Sequence, residues 1–346
     1  MDESVFPRTP TDLHGNRCAR HQQMKGMVEV SIITPLFNKE HYVGETIKCT
    51  LDQTLSELEM IIIDNGSTDT GSAKVRQFRD SRVQLIESPQ QGPGAARNLG
   101  IEQSSGRWLL FLDADDLIEP NYLANRLATA TSNPSATVVA GPWEEFDGSD
   151  LSRRTLRYPA GWKQPKSKLD AAAFAFAPWA LHAAIVRRDH VFPSRMWNEA
   201  LDTLPSEDCA FWFPVLHDAC VAWSDSGGAL YRKNTQDSRD RAVKSSSVGF
   251  NACLSAIDSN AESLSRLGLK PSSAQAATVV RVLCAMLEKT AKSEKELTAQ
   301  IQHQIHAWLR ETAYTDPRMF FRRMVFREWR APTRYHALAG NAPTLL

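Results

Sequence analysis

From Val28 onward the chain alternates short apolar runs with longer stretches in which apolar residues recur every three or four positions. Val30-Ser31-Ile32-Ile33-Thr34 is a β-branched run closed by Pro35, and 40–55 follows with Val43, Ile47 and Leu51 at i, i+4 and i+8. The first pattern predicts a buried strand and the second an amphipathic helix. The alternation then repeats. Met60 to Ile63 predicts a strand ended by the turn signal Asp64-Asn65-Gly66-Ser67, after which Thr68 or Asp69 can cap a helix reaching Phe78. Residues 83–86 predict a third strand, 94–101 a helix, 108–112 a fourth strand, 121–131 a helix and 137–140 a strand. Continuous apolar strands alternating with helices imply an α/β fold, with a mostly parallel central sheet flanked by helices on both faces.

Ligands bind such sheets beyond the carboxyl ends of the strands. That rule gathers 35–38, 64–67 and 113–116 at one rim. Residues 142–180 carry Gly148, Pro159, Gly161, Pro165 and many charges, and predict a long irregular functional loop. A strand at 183–186, a helix from about Glu207 and a hairpin-like pair around Gly227-Gly228 follow. From Ser247 the pattern is purely helical, with one apolar stripe of Val279, Val282, Leu283, Met286 and Leu287 and another of Ile301, Ile305, Trp308 and Leu309.

Composition removes several classes. The 346 residues hold 40 basic and 40 acidic side chains, so nothing favours non-specific nucleic-acid binding. The six cysteines form no CxxC pair, which argues against a zinc knuckle or thioredoxin-type site and for reduced thiols in a cytoplasmic protein. Residues 1–27 lack the apolar core of a signal peptide and read as a flexible extension. No apolar run approaches the roughly 18 residues that span a bilayer. The informative stretch is Trp108-Leu109-Leu110-Phe111-Leu112-Asp113-Ala114-Asp115-Asp116, a strand ending in three carboxylates. Such a density of charge is tolerable only where solvent, a cation or a ligand answers it, and hard cations take carboxylate and phosphate oxygens together.

These motifs carry a resemblance. Residues 30–38 (VSIITPLFN), 63–69 (IDNGSTD), 92–98 (GPGAARN) and the Asp-Ala-Asp triplet stand in the order of the nucleotide-binding half of a family 2 glycosyltransferase of the GT-A fold, an inverting, metal-dependent enzyme. Ser206-Glu207-Asp208-Cys209-Ala210-Phe211-Trp212 resembles the Glu-Asp motif of its acceptor side. The resemblance covers about residues 28–235. It implies that Pro35, Phe37, Asn38 and Glu40 lie by the pyrimidine base and ribose, with Asp64 on the uracil edge and Asn65 and Ser67 beside it. Arg97 would lie near the diphosphate or sugar, and Asp113 on sugar or ribose hydroxyls. Asp115 would hold Mn²⁺ or Mg²⁺, with Asp208 the general base and Glu207 positioning it or the acceptor. A UDP-sugar is the implied donor. The implied acceptor is a hydroxyl of a glycan, lipid-linked saccharide or cell-envelope polymer.

Two departures stand out. Asn65 replaces a frequent aspartate, and Tyr231-Arg232-Lys233-Asn234 has Asn where the family commonly has His, leaving Arg232, Lys233, Arg239 or Arg241 for the diphosphate. Trp143, Trp162, Trp179 and Trp197 fall in the acceptor half, as sugar platforms or as core. The expected organisation is an extension (1–27), a catalytic domain (28–240, its donor half ending at 141) and a helical region (241–346). The arginine-rich, aromatic segment 316–334 suits peripheral contact with an anionic membrane surface, or a helix packed back on the core. The C-terminal helices also offer a surface for pairing two copies. Two rival readings remain: a sugar-phosphate nucleotidyltransferase, disfavoured by the lack of a Gly-rich basic loop, and a non-catalytic glycan-binding protein on the same fold.

Overall fold

The computed structural model describes residues 27–235, 247–290 and 294–313. Seven strands form the main sheet: β1 (Val30–Leu36), β2 (Leu58–Asp64), β3 (Val83–Glu87), β4 (Trp108–Phe111), β6 (Val138–Ala140), β9 (Ala184–Arg187) and β10 (Val221–Trp223). Their order is β10-β6-β9-β4-β1-β2-β3. β4, β1, β2 and β3 run parallel, as the continuous apolar runs require; β9 alone opposes its neighbours. The register puts Leu36 opposite Asp64 and Ile33 opposite Phe111, so the loops after β1, β2 and β4 leave the sheet on one side.

Among the described residues, helices α1 (Val43–Leu51), α2 (Gly71–Val75), α3 (Pro93–Gln103), α4 (Tyr122–Ser132), α5 (Lys166–Ala175), α6 (Arg188–Val191) and α7 (Glu207–Leu216) accompany the sheet. α3 lies hard against β1. A Cβ on Gly100 would come within 2.4 Å of the Ile33 side chain, so only glycine permits this approach. The predicted helix over 68–78 is one short turn, because Asp69 is spent on the backbone N–H groups of Glu40 and Gly71 rather than on a longer helix.

The structure corrects two expectations. Residues 142–180 are not irregular: they supply β7 (Trp143–Asp147), β8 (Asp150–Arg157) and α5. With β5 (Leu117–Ile118) and β11 (Ala229–Lys233), these strands form a second sheet ordered β5-β11-β7-β8. Every residue of β8 is exposed at its edge, so no apolar alternation marks it as a strand. Nor does Gly227-Gly228 turn a hairpin. β10 ends in the main sheet and β11 begins in the small one, and Gly228, at φ +100°, turns the chain between them.

α8 (Ser247–Arg266), α9 (Ser273–Lys289) and α10 (Lys295–Ala313) pack back on α5 and α7. Phe174 meets Phe213 and Trp308 edge-on, and the buried Asn260 amide donates to the carbonyls of Phe174 and Cys209. No helix among the described residues is long and apolar enough to cross a membrane. The basic segment 316–334, Arg239 and Arg241 lie outside the described residues.

Candidate active site

Beyond the carboxyl ends of β1, β2 and β4 lies a cleft of about 1090 Å³. Pro35, Phe37, Asn38, Asn65, Arg97, Asp113, Asp115, Glu207 and Asp208 all line it. Residues as far apart in the chain as Pro35 and Asp208 are thereby brought to one surface.

The rim after β1 and β2 is built from short turns. The Asn38 N–H donates to Ser67 Oγ, and Asn38 Oδ1 accepts from the Thr68 N–H at 2.8 Å, stitching the loop after β1 to the loop after β2. Asn65 Oδ1 accepts from the Gly92 N–H at 3.0 Å, adding the start of α3 to the same rim. Asp64, Glu40 and Ser67 are not among the cleft-lining residues. Asp64 accepts from the Ser67 N–H and the Ser72 hydroxyl, and Glu40 accepts from the N–H and hydroxyl of Thr70. These carboxylates hold the loops that present Phe37, Asn38 and Asn65. Phe37 leaves half its surface exposed there (51%).

Arg97 is the hinge between the two sides. It is buried, donates to Asp113 Oδ1 at 2.9 Å and to Glu207 Oε1 at 3.2 Å, and stacks its guanidinium 4.3 Å over the Trp197 ring. Burial by itself disfavours the charge; the two carboxylates outweigh it and hold the pKa above the usual arginine value. Trp197 in turn stacks flat on Phe211 of α7 at 4.1 Å, so of the two sequence readings, sugar platform or core, the buried Trp197 follows the second. Next to Arg97, Asn98 bonds Glu199 and the backbone of Trp197, pinning α3 to the segment before α7.

The acidic triplet divides its work. Asp113 takes Arg97 and Asp115 pairs with Lys39 at 2.8 Å. Asp116 is buried, 3.2 Å from His182 Nδ1, and accepts the Arg232 N–H at 2.8 Å. Burial foremost, opposed by His182, pushes the Asp116 carboxyl up to about 6. The Arg232 guanidinium donates to Asp115 O, Gly148 O and Glu45, bracing the loop after β4, and Arg232 also lines the cleft.

Asp208 stands in the first turn of α7, its Oδ1 accepting the Cys209 N–H. Burial, then the adjacent Glu207 charge, push its carboxyl up to about 7. A carboxylate with that pKa is a competent proton acceptor near neutrality. The N-terminus of α3 is closed to phosphate: Asp202 accepts the N–H groups of Gly94 and Ala95 at 2.7 and 2.9 Å. Lys39, Asp202 and the His182 pairing were not singled out from sequence. Only Lys39 left a signal, by its place next to Asn38.

No three His, Cys, Asp or Glu side chains among the described residues form a metal cage. Asp115 does carry a cation, the Lys39 ammonium. Magnesium-type ions use one or two carboxylates and take the remaining ligands from water and substrate phosphates. The donor set of Asp115, with Asp113 close by in sequence, fits an ion held jointly with a diphosphate.

Strand order and rim are those of the GT-A fold. Two structures of S. aureus TarS 1–349 share it. The complex with UDP-GlcNAc aligns at a TM-score of 0.61 and 17% identity over 81% of each chain. The complex with UDP aligns at 0.59 and 16% over 81% of this chain and 80% of that one. Residues 31–190 match the model of glycosyl transferase family 2. An uncharacterized glycosyltransferase of Haemophilus influenzae is 41% identical over 101 residues, 28% of this chain and 40% of that protein. The Escherichia coli UDP-Glc:alpha-D-GlcNAc-diphosphoundecaprenol beta-1,3-glucosyltransferase WfgD is 38% identical over 123 residues, 35% and 48% of the two chains. The matched region thus spans less than half the length of each relative.

Proposed function

We propose that this chain is an inverting glycosyltransferase that moves a sugar from a UDP-sugar to an acceptor hydroxyl. The observation that carries it is the buried Arg97 bridge. By holding Asp113 and Glu207 at once, it joins the loop after β4 to the helix that bears Asp208, and Asp115 lines the same cleft. Phe37, Pro35, Asn38 and Asn65 would receive the pyrimidine and ribose, the exposed Phe37 ring offering an apolar face to the base. Asp64, Glu40 and Ser67 serve this site by shaping the rim. Asp113 would bind sugar or ribose hydroxyls, and Asp115 with the diphosphate would hold Mn²⁺ or Mg²⁺. That ion would offset the charge developing on the leaving diphosphate. Asp208 takes the proton of the attacking hydroxyl, oriented by the Glu207–Arg97 pair. WfgD is named for a UDP-sugar donor and a lipid-linked saccharide acceptor, in keeping with this reading.

Thermal-shift titration with UDP, GDP and ADP compounds, with and without Mn²⁺, tests the donor. Stabilisation by UDP compounds that needs metal is expected; preference for adenine nucleotides overturns the assignment. Release of UDP from a panel of UDP-sugars, lost in Asp208→Asn, tests the enzyme against a binding module on the same fold.

A further inference from the structure

Asp202 rests on the cleft wall in a seat shaped for a carboxylate. Its oxygens accept the N–H groups of Gly94 and Ala95, one each, and it lines the cleft together with Gly92, Arg97, Glu207 and Asp208. No side chain caps α3 locally. The N-cap is Gly92, where serine, threonine or aspartate would have served from within the same turn. The chain instead brings a carboxylate from 108 positions beyond Gly94. A Cβ on Gly92 would come within 2.0 Å of Asp202 Oδ2, and one on Gly94 within 2.3 Å of Oδ1. The two glycines of the 92–98 motif thus let a carboxylate lie against the backbone at the cleft wall. The segment that carries Asp202 is also fixed. Asn98 donates to Glu199 Oε1 at 2.7 Å and to Trp197 O at 3.1 Å, and the Asp202 N–H donates to Glu199 O, closing the turn Glu199–Leu201.

An ionised carboxylate offers about four acceptor positions, and the N–H groups of Gly94 and Ala95 take one on each oxygen. Asp202 is only partly buried, and the second positions of its two oxygens lie side by side, a spacing that suits adjacent hydroxyls of a sugar ring. Capping the helix does not require this, since one local side-chain oxygen suffices. Two sugars meet in the cleft on the glycosyl-transfer reading, one on the donor and one on the acceptor. The surroundings of Asp202 select the first. α3 carries Arg97, whose guanidinium holds Asp113, and the Gly92 N–H just before the helix is fixed to Asn65 at the rim. We propose that Asp202 is a specificity-determining residue that accepts hydrogen bonds from two adjacent ring hydroxyls of the transferred sugar. The proposal rests on the glycosyl-transfer reading and deepens it, naming the side chain that tells one UDP-sugar from another. A carboxylate locked by backbone donors discriminates well, because it cannot turn to follow a displaced hydroxyl.

The test is calorimetric binding of UDP, UDP-glucose, UDP-galactose and UDP-N-acetylglucosamine to the full chain with Mn²⁺, in the wild type and in Asp202→Asn. The adjacent ring hydroxyls of glucose are O2 with O3, or O3 with O4. An N-acetyl group at C2 removes the first pair, and inversion at C4 breaks the second. The wild type should therefore separate UDP-glucose from one of the other two sugars by about tenfold or more, the worth of a hydrogen bond to a charged acceptor. Asp202→Asn keeps one acceptor oxygen for the helix and should narrow that gap to about threefold or less, with UDP affinity within about twofold of the wild type. The 3-deoxy analogue of the tightest of the three checks the wild type alone, since O3 belongs to either pair: its affinity should be about tenfold lower or less still. That comparison decides the matter should Asp202→Asn lose UDP binding as well. Equal wild-type affinity for the three sugars overturns the proposal, as does an unweakened 3-deoxy analogue. A preference that survives in Asp202→Asn overturns it too and leaves the carboxylate to the acceptor or to the helix alone. UDP binding separates the two readings: intact UDP binding without discrimination removes the role of Asp202 only, and absent UDP binding in the wild type removes the donor assignment beneath it.

Discussion

The rim after β1 and β2 and the α7 wall of this cleft are held by different forces. At the rim, Asp64, Asn38, Asn65 and Glu40 are fastened mainly by backbone N–H groups and hydroxyls of adjoining turns. At the wall, charges are held by one another across the chain. Arg97 reaches Glu207 over 110 positions, and Asp208 sits where burial lifts its pKa. A rim made of turns is preorganised to receive a ligand with little rearrangement. A wall made of desolvated charges instead moves an ordinary aspartate toward titrating near neutral pH.

Breaking the wall should cost far more than breaking the rim. Asp208→Asn should lower kcat by about 10²–10⁴-fold, the usual contribution of a positioned base, with UDP affinity by calorimetry unchanged. A comparable loss of UDP binding would make Asp208 a donor ligand instead. Arg97→Met should strand Asp113 and Glu207 without their cation. Breaking a buried pair from one side costs about 3–5 kcal/mol, readable as a lower urea midpoint at unchanged m. A midpoint within error of the wild type would show that the bridge is dispensable.

The pH profile sharpens the same comparison. With Asp208 titrating at about 7, kcat/KM should climb tenfold per unit below that value and level off above it. The shift also has a stability sign. The unfolded carboxyl loses its proton near its ordinary value of 3.8 and the folded one near 7, so the folded state loses stability as pH rises through this window. In Asp208→Asn that component of the pH dependence should vanish, which melting temperatures at pH 5 and 8 would show.

At the rim the effects shrink. Lys39→Gln frees Asp115 of a partly buried ion pair worth about 0.2–1 kcal/mol, so Mn²⁺ should bind about two- to fivefold more tightly by titration in the presence of UDP. Weaker Mn²⁺ binding would mean that Lys39 acts on the diphosphate. Leu156→Ser, on the wholly exposed β8, should change unfolding free energy by less than about 0.5 kcal/mol.

How much of this could be read beforehand follows the same division. β1, β2 and β4 were legible because a strand buried on both faces is largely apolar without alternation, and their terminal loops were legible because turn residues and carboxylates interrupt those runs. β7 and β8 were not, since strands at an exposed edge need satisfy no hydrophobic pattern. The candidate residues could be named, but the bracing of the neighbouring loops by the oxygens of Asp64 and Glu40 could not. Asp202 on the α3 N-terminus and His182 beside Asp116 left no local trace, because each answers a group on a distant element.

The sequence by itself determined the alternation of buried strands and helices, and with it which loops share one end of the sheet, because side-chain periodicity and turn chemistry act over a few neighbouring residues. Only the tertiary structure decided which charges meet, how far burial shifts them, and that three C-terminal helices wall the far end of the cleft. Desolvation and ion pairing depend on what lies across space, and no spacing along a chain encodes that distance.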